Sequence, residues 1–582
     1  MHRTSTPTNP IGVPSESRAT HHLDVSNALR VRRARAPPNP MDVSFESPRA
    51  THHLDASNVL QVHCTSNPPS PLGVPSESRA TRHLDASNVL SSHFKRTSYV
   101  SCLQLLLTVS IAHVTIDTLP DDVLLHIFHF DQVTYLDGLE SVGRLRRLFC
   151  EWHRLIHVSR RWRTVVFASP NFLHLRLVCD PRTRVDLIGI WPPLPIIIRD
   201  MDDWHMPEDY DFDAVIMHHN RVCEIYFHHL TSSQLQRLAA AMQNPFPALK
   251  HLMLGSASYY GCPTPALPDG FLDGSATSLQ SLTLNSIPFP ALPRLLLSTT
   301  QLVRLTLRNI PPSGYISPDV IALSLAVLTN LESLTIEFEF SPSHFDRRHP
   351  PPPRRILLPV LTRFEFKGVS EYLEDLVSSI DAPLLDSIWI TFYYQLAFDI
   401  PQLSHFMKRT TRTTRSEALN EVHVDFDHSG VQVGYLAPTR IFVQKTGLRI
   451  SCRELDYQLS SLEQVSPSFL PSIHMVEHLY IYRSRDLPSQ WEDNIEDVHW
   501  EEFFLSFTAV RNLYVSKKFT KCITFALQQL DGGTLVTVLP ALENIFLEGP
   551  QVSGPGQEVI KRFVARRQFL GHPVTVSRWN RT

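Results

Sequence analysis

The chain has 582 residues, of which 43% are hydrophobic and 19% are charged. At roughly 100–200 residues per domain, this length fits several domains, or one long repeat array with flanking segments. The formal net charge is −3, which excludes a generally basic nucleic-acid-binding protein but allows a local basic patch. The chain has 45 prolines and only 20 glycines, which excludes a glycine-rich linker protein and a collagen.

The eight cysteines are scattered and form no Cys-x-x-Cys pair, which argues against a zinc ribbon or a thioredoxin-like site. Isolated cysteines in a long chain are typical of reduced thiols in an intracellular protein, so we expect a cytoplasmic or nuclear location, or both. The sequence contains no phosphate-binding glycine loop, no His-Glu-x-x-His motif and no Gly-x-Ser-x-Gly motif. We therefore predict no catalytic residues, no metal site and no cofactor.

Residues 1–98 are rich in Ser, Thr, Pro, His and Arg and contain a repeated unit. The equivalent arginines Arg18, Arg49 and Arg79 are spaced 31 and 30 residues apart. Each unit carries too few apolar side chains to offset the entropy lost on ordering. The segment is therefore predicted to be a disordered tandem-repeat segment.

Residues 99–116 form an apolar connecting segment that is interrupted by Gln104 and His113. A membrane span needs about 20 mostly apolar residues, and the segment lies too deep in the chain for a signal peptide. We predict a core or interface segment and no membrane contact. An alternative is that residues 1–115 result from a misassigned gene start.

A compact helical pattern occupies residues 117–177. The segment 117–122 (DTLPDD) begins a helix, because Asp or Thr can cap it, Pro120 suits the first turn and acidic residues favour the positive end of the helix dipole. A second apolar pattern runs from Trp152 to Trp162. Helices in so short a stretch cannot cover all their apolar surface alone, which predicts a protein partner.

The segments 119–128 (LPDDVLLHIF) and 158–162 (VSRRW) resemble the two ends of an F-box. In F-box proteins these parts bind a Skp-type adaptor, which joins a cullin scaffold in an SCF ubiquitin ligase. The stretch 130–151 is longer than the usual link between them, which leaves the middle helix and adaptor binding open. The adaptor-binding residues that the resemblance implies are Leu119, Pro120, Leu124, Ile127, Phe128, Val158 and Trp162.

The remainder of the chain repeats the pattern apolar-x-x-apolar-x-apolar, with starts mostly 23 to 34 residues apart. This spacing is typical of leucine-rich repeats, in which parallel strands line a concave face and helices or loops lie behind them. Weaker copies occur at Val222 and around Leu448, and the stretch 192–198 is predicted to form a strand. The clear copies begin at Leu249, Leu279, Leu302, Leu331, Leu361, Leu385, Leu419, Val476, Val510 and Leu542.

The predicted fold class is therefore α/β: a small all-helical F-box followed by an irregular leucine-rich-repeat solenoid with a parallel concave sheet and outer helices. We predict an F-box-like domain at 117–177, a repeat array at 178–550 and a C-terminal cap or tail at 551–582. This order, together with the closing stretch 571–579, resembles a large mushroom-type family of fungal F-box-like proteins.

The resemblance implies a non-catalytic substrate-recognition subunit of an SCF-type ubiquitin ligase. Its partners would be a Skp-type adaptor, through it a cullin, and an unknown target protein, with no nucleic acid and no membrane. The alternative is a protein-binding scaffold that uses its F-box-like helices outside any ligase. The candidate target-binding residues are polar side chains expected on the concave strands, namely Lys250, His251, Gln280, Arg304, Glu332, Arg363, Glu365, Asp386, Glu421 and Arg511.

Overall fold

The structure is a computed structural model. It describes residues 116–134, 152–179, 192–200, 210–257, 264–340, 354–410, 420–436, 444–452, 454–470, 473–483, 500–529, 538–549 and 555–579. The predicted disordered segment 1–98, most of the apolar connecting segment 99–116 and residues 135–151 of the long stretch lie outside the described residues.

Three helices come first. A 3-10 turn at Ile116–Thr118 precedes α1 (Asp121–Thr134), and α2 (Trp152–Val158) and α3 (Arg160–Ala168) follow. α1 begins with Asp121 and Asp122 in its first turn, as the sequence predicts. Ser159 separates α2 from α3 and caps α3, because its hydroxyl accepts a hydrogen bond from the backbone N–H of Trp162 at 3.1 Å.

Within the described residues of the rest of the chain, ten further α-helices lie between the strands. They are α4 (Phe212–Ile216), α5 (Ser232–Ala241), α6 (Leu292–Leu296), α7 (Pro318–Leu325), α8 (Ser370–Ser379), α9 (Pro401–Thr410), α10 (Leu455–Phe469), α11 (Trp500–Leu505), α12 (Thr520–Gln529) and α13 (Pro555–Phe569).

The described residues contain eighteen strands. They are β1 (Leu177–Cys179), β2 (Ile196–Arg199), β3 (Val222–Leu230), β4 (His251–Ser256), β5 (Ser281–Asn285), β6 (Arg304–Ile310), β7 (Ser333–Phe338), β8 (Ile356–Leu357), β9 (Arg363–Gly368), β10 (Ile380–Asp381), β11 (Ser387–Tyr393), β12 (Glu421–Asp427), β13 (Gly430–Leu436), β14 (Gln444–Ser451), β15 (His478–Arg483), β16 (Asn512–Val515), β17 (Asn544–Glu548) and β18 (Thr575–Trp579).

Sixteen of these strands form one large, mostly parallel sheet. Their order is β1-β2-β3-β4-β5-β6-β7-β9-β11-β14-β13-β12-β15-β16-β17-β18. The short strands β8 and β10 pair with each other in a separate parallel sheet. The molecule is thus a mixed α/β protein whose large, mostly parallel sheet is connected by helices, as the repeated pattern predicts. The stretch 192–198 provides β2.

Each clear copy of the repeated pattern forms a strand that begins two residues after the first apolar position. The intervening residue ties one repeat to the next through its backbone carbonyl. The carbonyl of Lys250 accepts from the N–H groups of Gln280 and Ser281 at 2.8 and 2.9 Å, and that of Arg511 accepts from Glu543 and Asn544, both at 2.9 Å. The same paired bonds recur at Gln280, Val303, Glu332, Thr362, Asn420 and Glu477.

Burial alternates along the strands, so one face of the sheet carries the core. In β5, Leu282 and Leu284 are buried, whereas Ser281, Thr283 and Asn285 lie on the opposite side and are partly exposed. The apolar residues of neighbouring strands and of the connecting helices belong to one continuous hydrophobic core. We refer to the sheet face opposite this core as the open face.

The sheet departs from the expected sequential order between β11 and β15. In a solenoid whose strands follow chain order, the strand around Leu448 would lie next to the Leu419 strand. Instead, β14 lies directly beside β11, and β12 lies two positions beyond β14. β13 runs antiparallel to both β12 and β14. The expectation of a sequential, entirely parallel sheet is therefore wrong here. A short turn after Asp427 allows local antiparallel pairing, and two antiparallel steps restore the parallel direction.

The sheet also continues beyond residue 550, where the sequence predicts a cap or tail. α13 and β18 form a further helix and strand, and β18 pairs in parallel with β17 from Asn544↔Thr575 to Glu548↔Trp579.

Candidate functional site

The helical unit brings its two sequence segments together at the start of α1. The Arg161 guanidinium donates to Asp121 Oδ1 through Nε at 2.9 Å and Nη2 at 2.6 Å. Nη2 also donates to the backbone carbonyl of Leu119. This arginine of the VSRRW segment therefore fixes the Leu-Pro segment against α3. The ion pair is largely exposed and is worth little by itself.

Three of the predicted adaptor-binding residues form the core of this unit. Leu124 and Phe128 are fully buried on α1, and Trp162 on α3 is 9% exposed. The rings of Phe128 and Trp162 lie 4.7 Å apart between their centroids. In this conformation these side chains stabilise the helix packing and have almost no surface for a partner.

The other four predicted residues lie nearer the surface. Ile127 is 42% exposed and Val158 is 59% exposed. Pro120 is exposed and Leu119 is half-buried. Pro120, Val123 and Ile127 follow one another at spacings of three and four residues, which places them on one side of α1. We call these three residues the α1 stripe.

The helical unit is joined to the first strand of the sheet through Trp152. Its indole N–H donates to the backbone carbonyl of Arg176 at 3.1 Å, directly before β1. Its ring also contacts Phe167, with 5.9 Å between the centroids. Because Trp152 is buried, this connection holds α2 against the edge of the sheet.

The predicted target-binding residues occupy two different positions. Arg304, Arg363, Glu365 and Glu421 lie on the open face together with His251. Arg304 and Arg363 share the register of His251, whereas Glu365 lies two residues further along β9. The second group precedes the strands and lies at their amino-terminal ends. Its members are Lys250, Gln280, Glu332, Asp386 and Arg511.

Charged side chains in the middle of the open face pair with one another. Arg308 lies 3.3 Å from a carboxylate oxygen of Glu337 and 3.4 Å from one of Glu365. Burial raises the pKa of Glu337, although Arg308 and Lys367 act in the opposite direction. Glu365 is therefore already engaged within the sheet, whereas Arg304 and Arg363 are exposed.

A row of aromatic rings occupies the open face near its carboxy-terminal end. His423, Tyr480, Tyr514 and Phe546 are direct neighbours on β12, β15, β16 and β17. Successive ring centroids lie 4.3, 4.2 and 4.5 Å apart, and the ring planes differ by only 3°, 11° and 8°. These four rings stack face to face across four strands, and we call them the aromatic row.

Two further rings extend this surface. Tyr482 stacks against His423 with centroids 5.5 Å apart. Trp579 lies 5.5 to 6.0 Å from Tyr480, Tyr482 and Tyr514, with its plane turned by 44° to 69° from theirs. Trp579 therefore crosses the stack instead of joining it. The aromatic row, Tyr482 and Trp579 together form the aromatic surface.

The sequence reasoning missed the aromatic surface, although the repeated pattern carries a signal for most of it. The single residue between the second and third apolar positions always points to the open face. That residue is Met253, Thr283, Thr306 or Thr335 in the early repeats. In the late repeats it is His423, Tyr480, Tyr514 or Phe546.

In the part of the chain that the structure describes, no group of three or more His, Cys, Asp and Glu side chains is arranged to hold a metal ion. Within the same residues, no helix is both long enough and apolar enough to cross a membrane. Comparison with protein-family models gives no match, and comparison with curated proteins gives none either.

Proposed function

We propose that this protein is the substrate-recognition subunit of an SCF-type ubiquitin ligase and carries out no chemistry itself. The observation that carries the proposal is the contact of Arg161 with Asp121 and Leu119, which joins the two F-box-like segments. It leaves the α1 stripe exposed beside them. Exposed apolar side chains on a small helical unit favour a docked protein partner.

In this proposal the helical unit binds a Skp-type adaptor and the open face holds a target protein. The helical unit is attached to β1, at one edge of the sixteen-stranded sheet. A target bound on the sheet would be kept at a fixed distance from the ubiquitin-charged enzyme that the cullin delivers. The rate gain would come from proximity, because a bimolecular encounter becomes effectively intramolecular.

The alternative is a scaffold that uses the same helices outside any ligase. It is favoured by the long stretch 130–151, into which α1 continues as far as Thr134. An extended first helix would change how the unit meets an adaptor shaped for a shorter one. The two functions differ in whether a cullin is recruited.

Binding of the purified full chain to a purified Skp-type adaptor tests the proposal. We expect the wild type to bind and Ile127→Glu to lose binding at least tenfold, because a charge would have to be desolvated in the contact. Leu323→Glu is the matched control, since Leu323 is 67% exposed on α7 and lies outside the helical unit.

Three results would count against this proposal or a part of it. Absence of adaptor binding by the folded wild type removes the ligase proposal. Equal losses in the two variants show that the α1 stripe is not the contact. If the adaptor binds but no cullin joins the complex, the scaffold function replaces the ligase function.

A further inference from the structure

The aromatic surface is bordered by acidic side chains. Glu421 lies two residues before His423 on β12, and Asp425 pairs in register with Tyr482. Glu548 pairs in register with Trp579. Each of the three carboxylates is only partly buried. Negative charge therefore lies beside the aromatic rings on both sides of the row.

On β18 the positive residue Arg578 lies at an alternate position, on the face opposite Trp579. Glu548 accepts a hydrogen bond from the backbone N–H of Lys517, shortly after β16, at 3.1 Å. The described open-face positions of β12, β15, β16, β17 and β18 hold no Lys and no Arg. The earlier part of the open face differs, since Arg304, Arg308, Arg363 and Lys367 lie there. The carboxy-terminal part of the open face is thus an acidic and aromatic surface.

The arrangement of the rings favours a cation that is flat and donates hydrogen bonds. Stacking uses the ring faces within the aromatic row, whereas Trp579 is turned out of the stack and is only partly buried. A guanidinium group stacks on an indole face and donates to carboxylates and hydroxyls. Burial, with Glu421 as a further cause, raises the pKa of Tyr480. The oxygen of a neutral phenol can accept a hydrogen bond from such a cation.

The dimensions of the surface fit a peptide. The aromatic row crosses four strands, which is about 14 Å at the usual spacing between strands. An extended chain covers that distance in about four or five residues. The acidic border would repel phosphates and therefore nucleic acid.

We propose that the aromatic surface binds an extended peptide segment that carries arginine side chains. The contact is held by Trp579, Glu421 and Glu548. The proposal rests on the target-binding role of the open face and names the chemistry of the target. Binding of the adaptor depends on Ile127 instead, so the two proposals can fail separately.

Fluorescence anisotropy with the full chain tests this proposal. The probe is a labelled eight-residue peptide of alternating Gly and Arg, and the comparison peptides carry Lys or Gln in place of Arg. We expect saturable binding of the Arg peptide, weaker binding of the Lys peptide and none of the Gln peptide at the same concentrations. Raising the salt concentration weakens the Arg complex, because the acids contribute charge attraction.

Matched variants locate the contact. Trp579→Leu is expected to weaken binding of the Arg peptide by about tenfold, whereas Phe569→Leu, an exposed aromatic position on α13, leaves it unchanged. Glu421→Gln is expected to weaken binding by about fivefold and to reduce its salt dependence. Glu558→Gln, an exposed acid in the first turn of α13 and not on the open face, leaves it unchanged.

The proposal is overturned if the folded wild type does not bind the Arg peptide, or binds the Gln peptide equally well. It is also overturned if Trp579→Leu and Glu421→Gln both bind the Arg peptide like the wild type. The peptide would then be attracted by the general charge of the protein and not by the aromatic surface. If Trp579→Leu lowers the thermal midpoint, Glu421→Gln still decides the outcome, since it keeps every ring in place.

Discussion

The pairing of β13 with β14 leaves no room for a side chain at Gly434, and the substitution Gly434→Ala tests this. A Cβ atom at this position would lie 2.5 Å from the backbone oxygen of Thr446 and 3.1 Å from the Cα of Gly447. Both atoms belong to the backbone of β14, which is itself hydrogen-bonded to β11 on its other side. No side chain can turn aside to relieve the contact, so one strand has to move by almost 1 Å.

The expected loss of stability arises because the added methyl group has no space between the two strands. Inserting a methyl group into a well-packed site costs about 1–3 kcal/mol, and each interstrand hydrogen bond that the shift weakens adds up to about 1 kcal/mol. We therefore expect Gly434→Ala to lower the free energy of unfolding by about 2–4 kcal/mol. Equilibrium urea unfolding followed by circular dichroism measures this difference.

Gly270→Ala is the matched control for this measurement. Gly270 has a φ of −83°, and a Cβ atom added there has no neighbour within 4 Å. This substitution is expected to be neutral or to stabilise by up to about 1 kcal/mol, because it restricts the unfolded chain. If both variants unfold at the wild-type urea concentration, β13 does not lie between β12 and β14 and the reasoning fails.

Two further predictions concern carboxylates that accept hydrogen bonds within the protein. Glu374 accepts hydrogen bonds from the backbone N–H of Gln402 at 2.8 Å and of the following residue at 2.7 Å, so Glu374→Ala is expected to destabilise by about 1–3 kcal/mol. Glu374→Gln, which keeps one acceptor oxygen, should lower the free energy of unfolding by less. If urea unfolding shows equal losses for the two variants, Glu374 does not stabilise the start of α9 through these hydrogen bonds. Burial alone would raise the pKa of Asp427, but hydrogen bonds from Ser429 and Arg449 outweigh burial and lower the pKa below its usual 3.8. The stability that Asp427 contributes is therefore present at neutral pH and is lost as pH falls through its folded pKa. The difference in stability between wild type and Asp427→Asn should be full above about pH 4 and shrink below it, and a difference independent of pH would refute this.

In the helical unit, the local sequence pattern predicts the helices but not their packing. The sequence predicts that α1 begins next to Pro120 and that one face of α1 is apolar, because both features depend on residues within one or two turns of each other. The sequence could not tell which apolar residues face inward. Phe128 packs against Trp162, which lies 34 residues further along the chain, and Leu124 is buried in the same core. This packing leaves Ile127 at the surface.

The aromatic surface depends on the alternation within each strand, which the sequence shows, and on the pairing between strands, which only the structure shows. The alternation within each strand places Tyr480 and Tyr514 on the open face, and this could be derived from the repeat pattern. Their stacking requires equal register in adjacent strands, which the paired bonds to each preceding carbonyl provide. The position of Trp579 depends on β18 joining the sheet beyond the last predicted repeat.

The sequence by itself determined where the strands of the repeated pattern form, because an apolar side chain at every second position must be buried on one face of a sheet. It also determined the start of α1 and the mixed α/β class. The tertiary structure decided the order of the strands between β11 and β15. Pairing across the sheet is a competition between partners distant in the chain, and the short connection after Asp427 gives the antiparallel hairpin the smaller loop-closure cost.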